Sequence, residues 1–291
     1  LGELYATDGR NNAYTLSIFV QNATGGLDNF QKLEYIVNRS TYSASFNGLV
    51  VQDIDGDKKP ELLVPEYPSD FDELAVAGIR IFKADAEGKY FASEFIATPY
   101  VQGLQAMDVD GDGLIDLVGH RGETSFDRTS WFQILRKTGN GFTKLAPVML
   151  PQGDYEFGVS DLDLDGKREL IVNRIYYSDG PTKSELLIFS QSAPATFSTN
   201  TALTNEAIGF CTFVDPCKTM NVVDVNGDGK AELVFGGRRF SDVANINAVI
   251  TFSRPPSGGW TKVSQVTLDY GNFYGEVYAI HDLDGDAVPD A

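Results

Sequence analysis

The stretch DVDGDGLID (108–116) decides the reading of this chain, because it keeps returning. Close copies stand at DIDGDKKPE (53–61), DLDLDGKRE (161–169), DVNGDGKAE (224–232) and DLDGDAVPD (282–290). Each puts a carboxylate or carboxamide at positions 1, 3 and 5, and an Asp or Glu at position 9. Acids crowded this closely disfavour one another's ionisation unless a positive charge holds them. A segment that repeats the arrangement five times therefore implies a bound cation.

The repeat is longer than the acidic motif. Motif starts at 53, 108, 161, 224 and 282 recur at intervals of 53 to 63 residues, and other features recur in phase. A first strand leads into each loop (GLVVQD, GLQAMD, GVSD, MNVVD, EVYAIHD), and a second leaves the first four (ELLV, DLVG, ELIV, ELVF). A third run ends at Phe82, Leu135, Phe189 and Phe252, and an aromatic-led fourth follows: GKYFASEFI, NGFTKLAPVML, PATFSTNTAL, GGWTKVSQVTL. β-branched and aromatic residues bounded by Gly, Pro, Asn and Asp predict strands, with no helical periodicity to compete. Four antiparallel strands in a repeat of roughly 58 residues read as a β-propeller blade. The expected fold is all-β: a single propeller over 1–291, of four-stranded antiparallel blades.

The chain ends bear on the blade count. Residue 291 falls just after the fifth loop, and LGELYATDGRNNAYTLSIFVQ at the start reads as second and third strands lacking a first. Joined end to end, they put Phe19 in phase with the other third strands. We therefore expect five blades, the last shared between 276–291 and 1–35, with the ring closed by pairing N- and C-terminal strands and no open sheet edge left. The competing expectation is a fragment of a larger ring or tandem array.

Within each loop, alternating positions point their oxygens into one concavity, while Gly at 4 or 6 permits the tight curvature. The expected ligands are Asp53, Asp55, Asp57 and Glu61; Asp108, Asp110, Asp112 and Asp116; Asp161, Asp163, Asp165 and Glu169; Asp224, Asn226, Asp228 and Glu232; and Asp282, Asp284, Asp286 and Asp290. The position-7 carbonyls of Lys59, Leu114, Lys167, Lys230 and Val288 add a further oxygen. An all-oxygen site without His or Cys suits a hard cation, and its irregular, carboxylate-rich geometry suits Ca2+ over Mg2+. About five Ca2+ ions are expected, one per loop. An EF-hand is excluded, because position 12 there is a bidentate Glu between helices, and here it is Val64, Gly119, Val172 or Phe235 with β-rich flanks.

These residues resemble the FG-GAP/VCBS repeats, as in the integrin α-subunit propeller, which carry D-h-D-G-D-G-h-x-D-L-V after a strand often containing Phe-Gly. YEFGVSDLDLDGKRELIV (155–172), SFNGLVVQDIDGDKKPELLV (45–64) and AMDVDGDGLIDLVG (106–119) carry the likeness, which runs over essentially the whole chain. It implies Ca2+ in the hairpin between first and second strands. Leu164 for the fourth-position Gly, Asn226 for an Asp, and the missing Gly-Ala-Pro after the second strand depart from the pattern. Such a likeness implies architecture more strongly than activity.

The formal charge of −18 opposes nucleic acid binding, and five divalent cations would reduce it to −8. No apolar run approaches the roughly 18 residues of a membrane span. CTFVDPC (211–217) is spaced to close a small disulfide loop, the alternative being two free thiols; Asn22-Ala-Thr and Asn38-Arg-Ser are glycosylation acceptors. Together they favour an extracellular protein, secreted or at the cell surface.

The segments joining second to third strands share an aromatic near an Asp: YATDGRNNA (5–13), EYPSDFDE (66–73), SFDRTSW (125–131), YYSDGPT (176–182) and RFSDVAN (239–245), with Arg10, Arg121, Arg128, Arg238 and Arg239 nearby. They suit a sugar or protein ligand, or serve as Asp-capped turns over a packed ring. Trp131 and Trp260 suit a sugar platform or a core position. No catalytic motif is present, and His120 and His281 are the only histidines. The expected function is a non-catalytic binding or adhesion module for a glycan or extracellular protein. The alternatives are a structural segment of an extracellular polymer, self-associating, and a carbohydrate-active enzyme.

Overall fold

The computed structural model describes residues 13–21, 24, 27–36, 49–66, 77–98, 101–121, 130–139, 141–176, 183–204, 219–240, 245–254 and 260–268. All regular structure among them is strand, and no helix is long and apolar enough to cross a membrane. The fifth acidic loop, His281, both cysteines, Asn22 and Asn38, and most of each second-to-third connection lie outside the described residues.

Four antiparallel sheets repeat one order. The first holds β3 (Val50–Gln52), β4 (Glu61–Glu66), β5 (Gly78–Ala84) and β6 (Tyr90–Ala97). The next holds β7 (Gln102–Met107), β8 (Asp116–Arg121) and β9 (Ser130–Thr138), with β10 (Gly141–Lys144) and β11 (Val148–Leu150) sharing the fourth place along β9. Then come β12 (Asp154–Ser160), β13 (Glu169–Tyr176), β14 (Lys183–Ala193) and β15 (Thr196–Thr204). The last holds β16 (Thr219–Val223), β17 (Glu232–Phe240), β18 (Asn245–Ser253) and β19 (Thr261–Leu268). A further antiparallel pair, β1 (Ala13–Gln21) and β2 (Leu27–Ile36), precedes them. Among the described residues, the strands read from the sequence are found in the expected order. One fourth strand differs: NGFTKLAPVML is broken at Leu145–Pro147, where Pro147 has no N–H to give a ladder.

A bulge recurs at one place. The register between third and fourth strands shifts at Ile18/Phe19, Ile81/Phe82, Ile188/Phe189 and Thr251/Phe252. In the remaining sheet the shift falls between Leu135, paired with Lys144, and Phe132, paired with Val148. One extra residue in the fourth strand bends it and raises its twist. The β1–β2 pair carries the same shift as the third and fourth strands of the four sheets.

In the first of these sheets burial falls from the second strand to the fourth. Every residue of β4 is buried, β5 is largely so, and β6 is mostly exposed. The continuous apolar run of the second strand therefore reflects cover on both faces.

The chain divides into two compact units: Leu1–Met107 with Leu114–Arg121 and Gln133–Lys144, and Asp108–Gly113 with Gly122–Phe132 and Leu145–Ala291. In the first, Leu62, Val64 and Phe82 pack against Ile18 and Leu33, and Gln31 exchanges two 2.8 Å hydrogen bonds with the Tyr90 backbone. In the second, Ile171, Leu186 and Ile188 pack on Met220, Leu233, Phe235 and Phe252, and Phe132 meets Phe157 edge-on at 4.7 Å. Within each unit, consecutive sheets thus pack face against face. Their first strands come close: a Cβ on Gly158 of β12 would lie 2.5 Å from Val222 Cγ2 of β16.

Candidate metal centre

Each described acidic motif forms the hairpin between a first and a second strand. Its shape follows from backbone N–H groups turning onto the carboxylates, the mechanism by which Asp and Asn stabilise tight turns. The position-1 carboxylate accepts the position-6 N–H in all four loops: Lys58 to Asp53 at 2.9 Å, Gly113 to Asp108 at 3.1 Å, Gly166 to Asp161 at 2.9 Å, and Gly229 to Asp224 at 2.7 Å. Its other oxygen accepts Gly56, Gly111 or Gly227 at 2.7 Å, and Asp165 at 3.1 Å. Position 3 accepts from position 5, at 2.9–3.3 Å in every described loop.

Both position 4 and position 6 are left-handed. Gly56, Gly111 and Gly227 have φ of 82°, 80° and 73°, and Gly113, Gly166 and Gly229 have φ of 84°, 85° and 83°. Lys58 (φ 68°) and Leu164 (φ 61°) hold the same conformation with a Cβ, at a cost of about 1–2 kcal/mol each. The sequence suggested glycine at 4 or 6; the backbone requires the left-handed turn at both.

Position 9 closes each hairpin from below. Glu61, Asp116, Glu169 and Glu232 are all buried, no more than 5 % exposed. The three glutamates reach back to the position-2 N–H, of Ile54 and Leu162 at 2.9 Å and of Val225 at 3.1 Å. Asp116, a methylene shorter, accepts the Lys137 N–H at 2.7 Å. Loss of hydration raises Glu61, Glu169 and Glu232 above the ordinary carboxyl range, with the bond from position 2 offsetting part of it and the neighbouring aspartates pushing them further up. A divalent cation among them would supply the missing charge compensation.

Three loops bring three carboxylates together, with one oxygen from each lying within 4.8 Å of the others: Asp53, Asp55 and Asp57; Asp108, Asp110 and Asp116; and Asp161, Asp163 and Glu169. These three acidic groups have the composition to hold a metal ion, and the all-oxygen donor set fits a hard one. In the fourth loop Asn226 takes the place of a carboxylate, and its Nδ2 donates to Glu232 Oε1 at 3.2 Å. Asp282, Asp284, Asp286 and Asp290 lie outside the described residues.

Cations of the chain itself also reach two loops, which the sequence reading missed. The Lys83 ammonium pairs with Asp55 at 2.5 Å and holds its carboxyl below the usual range. Arg168, at position 8 of the third loop, approaches Asp108 of the second at 3.4 Å, and Gln191 donates to the Val109 carbonyl at 3.2 Å. The available signal for Lys83 was its place immediately after the buried Phe82, level with the end of the loop. Trp131 is buried, and Trp260 packs half-buried on the core, so both occupy structural positions. His120 lies in β8, at the end remote from the acidic loop.

Neither protein-family models nor curated proteins give a match to this chain.

Proposed function

We propose that this chain is a calcium-loaded five-bladed β-propeller of FG-GAP/VCBS type, acting outside the cell as a non-catalytic binding or adhesion module for a glycan or protein ligand. The observation that carries the calcium reading is the position-9 carboxylate, buried beside two or three further acids in every described loop. The propeller reading is supported by four like antiparallel sheets that repeat one strand order, and by a bulge that they share with the β1–β2 pair.

The two ends of each sheet have different work under this reading. The acidic loops sit at one end and brace the hairpins. The opposite end, where second strands lead to third, offers a rigid base for recognition. Glu66 pairs there with Arg80, which stacks 5.1 Å over Phe95. Arg174 similarly pairs with Glu185 at 2.8 Å and stacks 4.2 Å over Tyr176. The test is binding of the folded chain to a glycan and matrix-protein array, with calcium and with EDTA. Calcium-dependent capture of one ligand class supports the reading; silence from a verified folded sample overturns the adhesion part.

One observation favours the structural-polymer alternative. β15 (TFSTNTALT) is the outermost described strand of its sheet and carries no charged residue, so it lacks the usual protection against edge pairing. A sedimentation coefficient that rises with protein concentration would support it.

A further inference from the structure

Position 3 is where the acidic loops differ. In the third loop Asp163 is exposed, and no ammonium or guanidinium among the described residues pairs with it. In the fourth loop the residue is Asn226, an amide. In the first loop it is Asp55, with the Lys83 ammonium on its Oδ2. Lys83 follows Phe82, and the residues that follow Phe189 and Phe252 are Ser190 and Ser253, so the third and fourth repeats have no such cation.

The first loop is also tied to its own third-to-fourth hairpin. Lys59 Nζ donates to the Asp85 carbonyl at 2.8 Å, and the Tyr90 hydroxyl donates to the Pro60 carbonyl at 3.1 Å. Lys83 sits in the same field as Asp57 and Glu61, so one positive charge serves three acids.

Resting on the reading that these loops take a divalent cation, we propose that Lys83 is the resident counter-cation of the first loop. It keeps DIDGDKKPE folded without an added ion and must leave Asp55 before a divalent cation binds there. The first loop therefore fills at a higher cation concentration than the third. The loops are then a graded set, tuned at position 3.

The experiment follows backbone amides of the full chain by NMR, in wild type, Lys83→Gln and Lys83→Arg. Without metal, Lys83→Gln speeds exchange of the Gly56 and Lys58 amides about fivefold, the scale of losing one solvent-exposed ion pair. The Asp165 and Gly166 amides are unaffected, and Lys83→Arg retains wild-type protection. On titration with Ca2+, wild-type first-loop amides shift after those of the third loop, and Lys83→Gln lowers the first-loop midpoint about fivefold. Unchanged exchange together with an unchanged midpoint overturns the assignment. If no loop responds to Ca2+, the calcium reading fails, and metal-free exchange alone decides Lys83: faster in Lys83→Gln supports it, unchanged overturns it.

Discussion

The Glu169 carboxylate reaches back across the third acidic loop to accept the Leu162 N–H at 2.9 Å, while itself only 5 % exposed. A buried charge beside Asp161, Asp163 and Asp165 is unfavourable alone and favourable around a cation. The effect of neutralising it should therefore change sign with metal. Glu169→Gln is expected to destabilise the calcium-loaded protein by about 2–3 kcal/mol and to leave the EDTA-treated protein unchanged or slightly more stable. Urea denaturation in the two conditions measures both values. Equal destabilisation in each would argue for a purely structural glutamate.

The two non-glycine residues held left-handed offer a local test of loop geometry. Leu164→Gly and Lys58→Gly relieve a Cβ clash but add unfolded-chain entropy, for a net gain of about 0.5–1 kcal/mol. Gly166→Ala and Gly229→Ala, at φ of 85° and 83°, should cost about 1–2 kcal/mol. Calorimetric melting compares the four variants, and a stabilising Gly166→Ala would contradict the assigned backbone.

Packing between sheets is read at Gly158, where an added Cβ meets Val222 Cγ2 at 2.5 Å and Val222 Cβ at 3.0 Å. A residue branched at Cβ cannot rotate out of the way. Gly158→Ala should cost about 2 kcal/mol, and Val222→Ala in the same chain should recover most of that. Strict additivity in the double-mutant cycle would place β12 and β16 apart.

Acid acts on the metal-free protein with two opposed signs. Burial holds His120 down to about 4, so the unfolded chain takes its proton first, and this contribution to stability is lost as pH falls from about 6.5 towards 4. Glu61, Glu169 and Glu232 are raised, so the folded chain takes their protons first. Their burial penalty is present at neutral pH and relieved as pH falls through their folded values towards the unfolded value near 4.3. In His120→Gln only the second effect should remain, giving a metal-free melting temperature that rises on mild acidification. The His120 Cε1–H resonance of wild type, titrating well below 6.5, checks the assignment independently.

Most of the strand order was legible in the sequence, because each strand is an apolar run punctuated by loops whose acids and glycines repeat. The ends of GVSD or ELIV shift by a few residues in β12 and β13, but no strand moves to another place in its sheet. Other features left weaker signals. The bulge before Phe19, Phe82, Phe189 and Phe252 is a register property, visible only once two strands are aligned. The break at Leu145–Pro147 had a signal in Pro147, outweighed by the β-forming residues around it. Lys83 is remote in sequence from Asp55, and only the pairing of β4 with β5 brings them together. Asp53, Asp108, Asp161 and Asp224 stood out in the sequence as candidate ligands, whereas their capping of the position-6 N–H depends on a backbone that two of the loops reach without glycine at one of the two turns.

The most direct test is calcium titration of EDTA-stripped protein, with bound ions counted by equilibrium dialysis and melting followed in parallel. The account predicts about five ions per chain and a melting temperature that climbs with free calcium, each site adding about 2.7 kcal/mol at a hundred times its Kd. Stripped protein that binds no calcium and melts at the same temperature with and without it would contradict the account.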